Sequence, residues 1–236
     1  MSTNPRCPEW RYFRNKTICL LSVLLTGNML SAEAQVSRAV QVPLETVTGW
    51  GPVKPPAGYK SLRIQGRSSA DAIVLARLFG DFAKHPAMFP RVVAGVDILS
   101  CDVASLKARY RTIFDSRPGG KTMVESWSAV KVSASEGRVE FVWSSDNVKS
   151  SFVNAAQGRA MFVTRHTANG TETLIDYVSA IRPKNAAKGV LLESQRSVLA
   201  NDAKYVIDRL MAAAEQYVRE PAFPRTSDDL FNCPRT

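Results

Sequence analysis

Histidine is scarce in this chain, with two in 236 residues, and cysteine is limited to four. A zinc site needs three or four ligands at regular spacing. His85, His166, Cys7, Cys19, Cys101 and Cys233 offer neither that spacing nor a C-x-x-C pair, so no metal site and no thioredoxin-type chemistry is expected. His85 precedes a proline and reads as a turn or cap histidine, while His166, at a strand end beside Arg165, reads as a surface position. No Gly-rich phosphate loop, G-x-S-x-G elbow or Cys/His pairing occurs, so no cofactor and no catalytic constellation is expected. Runs of five or more Lys/Arg are also missing. The basic charge is therefore scattered over a solvated surface, and nucleic acid is not expected as a partner.

What is present has ordinary globular proportions, at 45% hydrophobic and 22% charged residues with a formal net charge of +10 and a pI near 9.7. Residues 1–34 read as an export leader. A basic stretch ends at Lys16, an apolar stretch from Thr17 runs toward Met29-Leu30, and Ser31-Ala32-Glu33-Ala34-Gln35 supplies a small-x-small cleavage pattern. The apolar stretch falls short of the roughly 20 residues that span a bilayer, and no later segment reaches that length. A periplasmic or secreted protein, cleaved near Ala34, is the expectation. The leader holds four basic residues against two acidic ones, so +8 stays with the remainder. A surface of that sign suits transient contact with an anionic membrane surface. Cys101 and Cys233 outlast the leader, and an oxidising compartment allows either one disulfide between them or two free thiols.

Residues 35–58 are punctuated by Gly49, Gly51, Pro52, Pro55, Pro56 and Gly58 and read as an extended lead-in. Tyr59 to Ile64 alternates as a first strand. Ser68 to Asp71 then caps a helical segment carrying Ile73, Val74, Leu78, Phe79 and Phe82 at helical spacing. From Val92 the period changes to two. Val92–Leu99, Leu106–Phe114, Thr122–Val132, Arg138–Trp143, Ala160–His166 and Thr171–Ile181 read as strands rich in β-branched and aromatic residues. The turns between them are too short for parallel crossovers, which predicts an antiparallel sheet, and Glu136-Gly137 and Asn169-Gly170 are hairpin signals. A proline-free segment from about 190 to 218 predicts one long helix, its apolar stripe running through Leu199, Ala203, Val206, Leu210, Ala213 and Tyr217. The tail, 219–236, reads as irregular.

Three stretches carry a resemblance. Phe79 to Pro90 is similar to the helix-and-turn segment before the second strand, Thr173 to Pro183 to the last strand and its proline, and 190–218 to the gripping helix, of the START-like (helix-grip, SRPBCC) superfamily. Within it the chain most resembles the bacterial polyketide cyclase/dehydrase and lipid-transport group. The resemblance spans residues 59–218. It implies an α+β fold in which a curved antiparallel sheet wraps a long C-terminal helix, with two short helices after the first strand. It also implies an apolar cavity between sheet and helix that binds a hydrophobic small molecule or lipid, with chemistry in a minority of members.

On that frame Phe141, Trp143, Phe162, Ile175, Tyr177, Val206 and Leu210 are the candidates for lining a cavity, or equally for filling a core. Arg109 could hold an anionic ligand head there, or face water. Glu125, Glu140 and Asp176 sit on strands, and a carboxylate aimed into an apolar cavity would have the raised pKa of a general acid or base. Alternation puts each of the three on the solvent face instead. A carrier is the leading reading. A cyclase-type enzyme using a cavity carboxylate, or a filled-core module that contacts the envelope, are the alternatives.

Overall fold

The computed structural model describes residues 38–42, 57–116, 120–168, 170–218 and 230–233. The leader, its cleavage site, most of the lead-in and residues 219–229 of the tail lie outside the described residues.

Among the described residues eight strands form one antiparallel sheet: β1 (Val40–Val42), β2 (Lys60–Ser68), β3 (Val93–Asp102), β4 (Lys107–Ser116), β5 (Gly120–Ser133), β6 (Arg138–Lys149), β7 (Val153–Thr167) and β8 (Gly170–Pro183). Their spatial order is β1-β2-β8-β7-β6-β5-β4-β3. From β3 to β8 every strand pairs with its sequence neighbour, as short turns between alternating runs require. Gly137 (φ +55°) and Gly170 (φ +121°) supply the positive φ of two of those turns. Register shifts at Val93/Gly95, Ile98/Ser100, Glu125/Ser126 and Val153/Ala155 add local twist, which curves the sheet. The strands run past the expected ends, because β6 and β7 continue through polar residues that alternation alone reads as loop.

Between β2 and β3 lie α1 (Ala72–Gly80), a single 3-10 turn at Phe82–Lys84 and α2 (His85–Met88). Asp71 caps α1 by accepting the Ile73 N–H at 2.8 Å. The C-terminal helical segment is two helices rather than one, α3 (Ala186–Ser194) and α4 (Arg196–Val218). The Ser194 hydroxyl donates to the Leu191 carbonyl at 2.7 Å. The break falls at Gln195, whose N–H still reaches the Leu191 carbonyl at 3.1 Å.

Helix α4 lies against α1 and β2. Gly66 of β2 lets it come close, since a Cβ there would meet the Met211 sulfur at 3.0 Å and Ile207 at 3.3 Å. The fully buried residues of α4 are Ala200, Ile207, Leu210, Met211 and Ala214. Leu199, Ala203, Val206, Ala213 and Tyr217 of the expected stripe are only half-buried. The closed core is aromatic at its centre, where Phe79 meets Phe141 and Phe162 edge-on, with ring centroids 5.1 and 5.7 Å apart.

The tail has more anchors than one cysteine. Cys101 and Cys233 form a disulfide with Cα atoms 5.9 Å apart. Beside it Leu230 and Phe231 are buried, Phe231 packing on Phe82 and Phe141. The Asn232 amide donates to Asp81 at 3.2 Å. Gly80 makes this docking possible, because a Cβ there would collide with the Leu230 carbonyl.

Candidate functional site

A cavity of about 330 Å³ lies between the inner face of the sheet and α4. It falls in the size range of small-molecule sites. Alternate residues of the strands supply its walls: Leu62 from β2, Tyr110, Thr112 and Phe114 from β4, Val124 and Ser126 from β5, Trp143 from β6, and Tyr177, Ser179 and Ile181 from β8. Phe79, Phe82, His85 and Phe89 close one end, and Leu192, Gln195, Val198, Leu199, Ala203 and Val206 form the helical side. The half-burial of Leu199, Ala203 and Val206 has its cause here, since they face open space rather than packed side chains.

Trp143 stacks on Tyr177 with centroids 5.5 Å apart, and Phe82 stacks on Tyr110 at 3.9 Å. Trp143 can lie flat because its neighbour across the strands is Gly158, where a Cβ would collide with the indole. Burial pushes the phenol pKa of Tyr110 and of Tyr177 above its ordinary value, so both stay protonated hydroxyls.

His85 is buried, with Nε2 2.8 Å from the Phe79 carbonyl. A carbonyl only accepts, so Nε2 carries a proton. Burial lowers its pKa to about 4, against the opposing pull of the Phe79 carbonyl and of Asp81. The imidazole is therefore neutral at pH 7; the folded protein takes its second ring proton, on Nδ1, near pH 4, and an unfolded chain takes it near 6.5. The associated stability is complete above pH 6.5 and lost as pH falls toward 4, about 3 kcal/mol in all. His85→Gln, which keeps a donor for Phe79, is expected to flatten the fall in unfolding free energy between pH 7 and 4.5. Parallel slopes for the two proteins in urea titrations would contradict it.

The sequence candidates divide between cavity, core and outer face. Trp143, Tyr177 and Val206 border the cavity. Phe141, Phe162, Ile175 and Leu210 are fully buried in the packed core behind it. Arg109 stands on the outer face, where its guanidinium meets Asp146 at 3.0 Å and Glu125 at 3.4 Å and lies over Trp127. Glu125 is on that face too, and its hydrogen bond from Arg111 holds its carboxyl below the usual range. Glu140 likewise alternates outward and lies near Arg138.

Asp176 also points away from the cavity, yet it is fully buried rather than solvated. It receives Arg63 at 2.5 and 3.0 Å in a two-pronged pair and Arg159 at 3.1 Å. Cavity residues beyond the sequence candidates are Tyr110, Thr112 and Phe114, which alternate on one strand, and Leu199 and Ala203, which share the helical stripe with Val206. Both sets aim at one space. Among the described residues no group of three or more His, Cys, Asp or Glu could hold a metal ion, and no helix is long and apolar enough to cross a membrane.

No protein-family model matches the chain, and a search of curated proteins returns no match. Solved structures do resemble it. The Zhui aromatase/cyclase from Streptomyces sp. R1128 superimposes with a TM-score of 0.54 at 12% identity, over 70% of this chain and 99% of that one. A START superfamily protein from Mycobacterium smegmatis gives 0.48 at 16% identity, over 67% and 98%. Major latex-like protein 151 from Panax ginseng gives 0.46 at 14%, over 67% and 99%. At such identities the likeness speaks to fold alone. With the antiparallel sheet, the paired short helices after β2 and the long last helix, the superposition on the aromatase/cyclase shows that this chain has the helix-grip fold.

Proposed function

We propose that the protein is an exported carrier for a hydrophobic small molecule or lipid, held non-covalently between the sheet and α4. The observation that carries this is the cavity itself, about 330 Å³ of space walled mainly by apolar and aromatic side chains and left open where a filled core would close it. Burying roughly 300 Å² of apolar ligand surface there would contribute about 7 kcal/mol before the costs of association. The Cys101–Cys233 disulfide supports an oxidising compartment, in keeping with the leader-like residues 1–34.

The surface around the α3–α4 junction supports contact with an anionic membrane. Val190 and Val198 are 73% and 48% exposed around the α3–α4 junction, with Leu191 between them and Lys184 and Lys188 beside them. Val198 also lines the cavity. A cyclase-type reaction has less support. Glu125, Glu140 and Asp176 are on the other face, and the carboxylates at the cavity are the exposed Asp115 and an Asp202 paired with Arg91.

The test is native mass spectrometry of protein recovered from its own compartment, before and after organic extraction. A stoichiometric extra mass lost on extraction is expected. A chain that is always empty, and takes up no apolar probe afterwards, would contradict the carrier reading.

A further inference from the structure

The cavity's charge distribution says what kind of ligand it suits, given the carrier reading above. Among the described lining residues there is no lysine or arginine. The ionisable groups besides the two tyrosines are His85, Asp115 and Asp202. The single ring proton of His85 is committed to the Phe79 carbonyl. Asp115 is exposed at the rim across the strands from Lys121, and Asp202 binds Arg91 at 2.7 Å. The strand arginine that might have met an anion, Arg109, is engaged on the outer face by Asp146 and Glu125.

A carboxylate, sulfonate or phosphate carried into this space would lose water and gain no counter-charge, which is costly in an apolar site. Apart from the three ionisable groups, the polar side chains inside are uncharged: hydroxyls, among them those of Tyr110, Thr112, Ser126, Tyr177 and Ser179, and the Gln195 amide. A hydroxyl both donates and accepts, so it can satisfy a ligand carbonyl or alcohol without any charge. Stacked rings beside them, Trp143 on Tyr177 and Phe82 on Tyr110, offer flat apolar walls. We infer that the cavity selects uncharged apolar ligands, bearing at most hydroxyl or carbonyl groups, and rejects ligands whose buried end is anionic, such as fatty acids.

Two fluorescent probes with one skeleton test this. N-phenyl-1-naphthylamine is neutral, and 8-anilinonaphthalene-1-sulfonate adds a sulfonate to the same rings. The neutral probe is expected to bind saturably and about thirtyfold or more tighter than the sulfonate. Leu199→Arg, which puts a cation on the cavity wall, is expected to shift the ratio of sulfonate to neutral affinity about tenfold toward the sulfonate. Thermal melting establishes that the variant folds. Equal or tighter sulfonate binding by the unaltered protein would overturn the charge preference and leave the carrier reading intact. Saturable binding of neither probe would overturn both.

Discussion

Asp176→Asn is expected to remove about 3–5 kcal/mol of folding stability, because it strands a positive charge that has no access to water. Arg63 and Asp176 both have 0% exposure and are joined by two hydrogen bonds. The amide keeps the shape of the carboxylate and loses its charge. Arg159 suffers less, since its side chain is 21% exposed and can turn to solvent. The control is Arg63→Met combined with Asp176→Leu, which removes both charges at similar volume. Replacing a whole buried pair is often neutral, so the double variant is expected to recover most of the loss. Urea unfolding of the three proteins decides it. An Asn variant within about 1 kcal/mol of the parent would mean the pair is solvated in solution.

The second large effect concerns the C-terminal segment. The disulfide joins residues 132 apart, and closing a loop of that length stabilises the fold by about 5 kcal/mol on the chain-entropy account. Cys101→Ser with Cys233→Ser is expected to lose most of this. Leu230 and Phe231 keep a reason to dock, because both are buried and Phe231 packs on Phe82 and Phe141. Adding Phe231→Ala is therefore expected to cost roughly a further 3 kcal/mol. Unchanged melting under strong reductant, with both thiols labelled, would contradict the first expectation.

Much of the fold is legible in the order of periods along the chain. Alternation from Val92 to Ile181 dictates strands, short turns dictate antiparallel pairing, and the proline-free stretch near 190–218 dictates helix. The break at Gln195 is less legible, because no proline or glycine stands at it. The site was read only in part for a different reason. Period assigns a residue to a face, and says nothing of what lies over that face. Trp143 and Phe141 share one face of β6, yet Trp143 borders the cavity and Phe141 is packed under Phe79 and Phe231. Alternation places Asp176 on the side of β8 away from the cavity, but nothing local announces that it is fully buried there against Arg63, 113 residues away. The helix stripe shows the same limit. Leu199, Ala203 and Val206 carry helical spacing that suits packing, and it is the space across from them that makes them cavity walls.

A carrier of this kind needs that space to be open and apolar. The most direct measurement is a crystal structure under xenon pressure, because a dry apolar cavity takes up xenon without any need to know the natural ligand. Xenon density is expected among Trp143, Tyr177, Leu199 and Val206, with little movement of α4. A xenon-free interior with those four side chains in mutual contact would contradict the account and leave a filled core in its place.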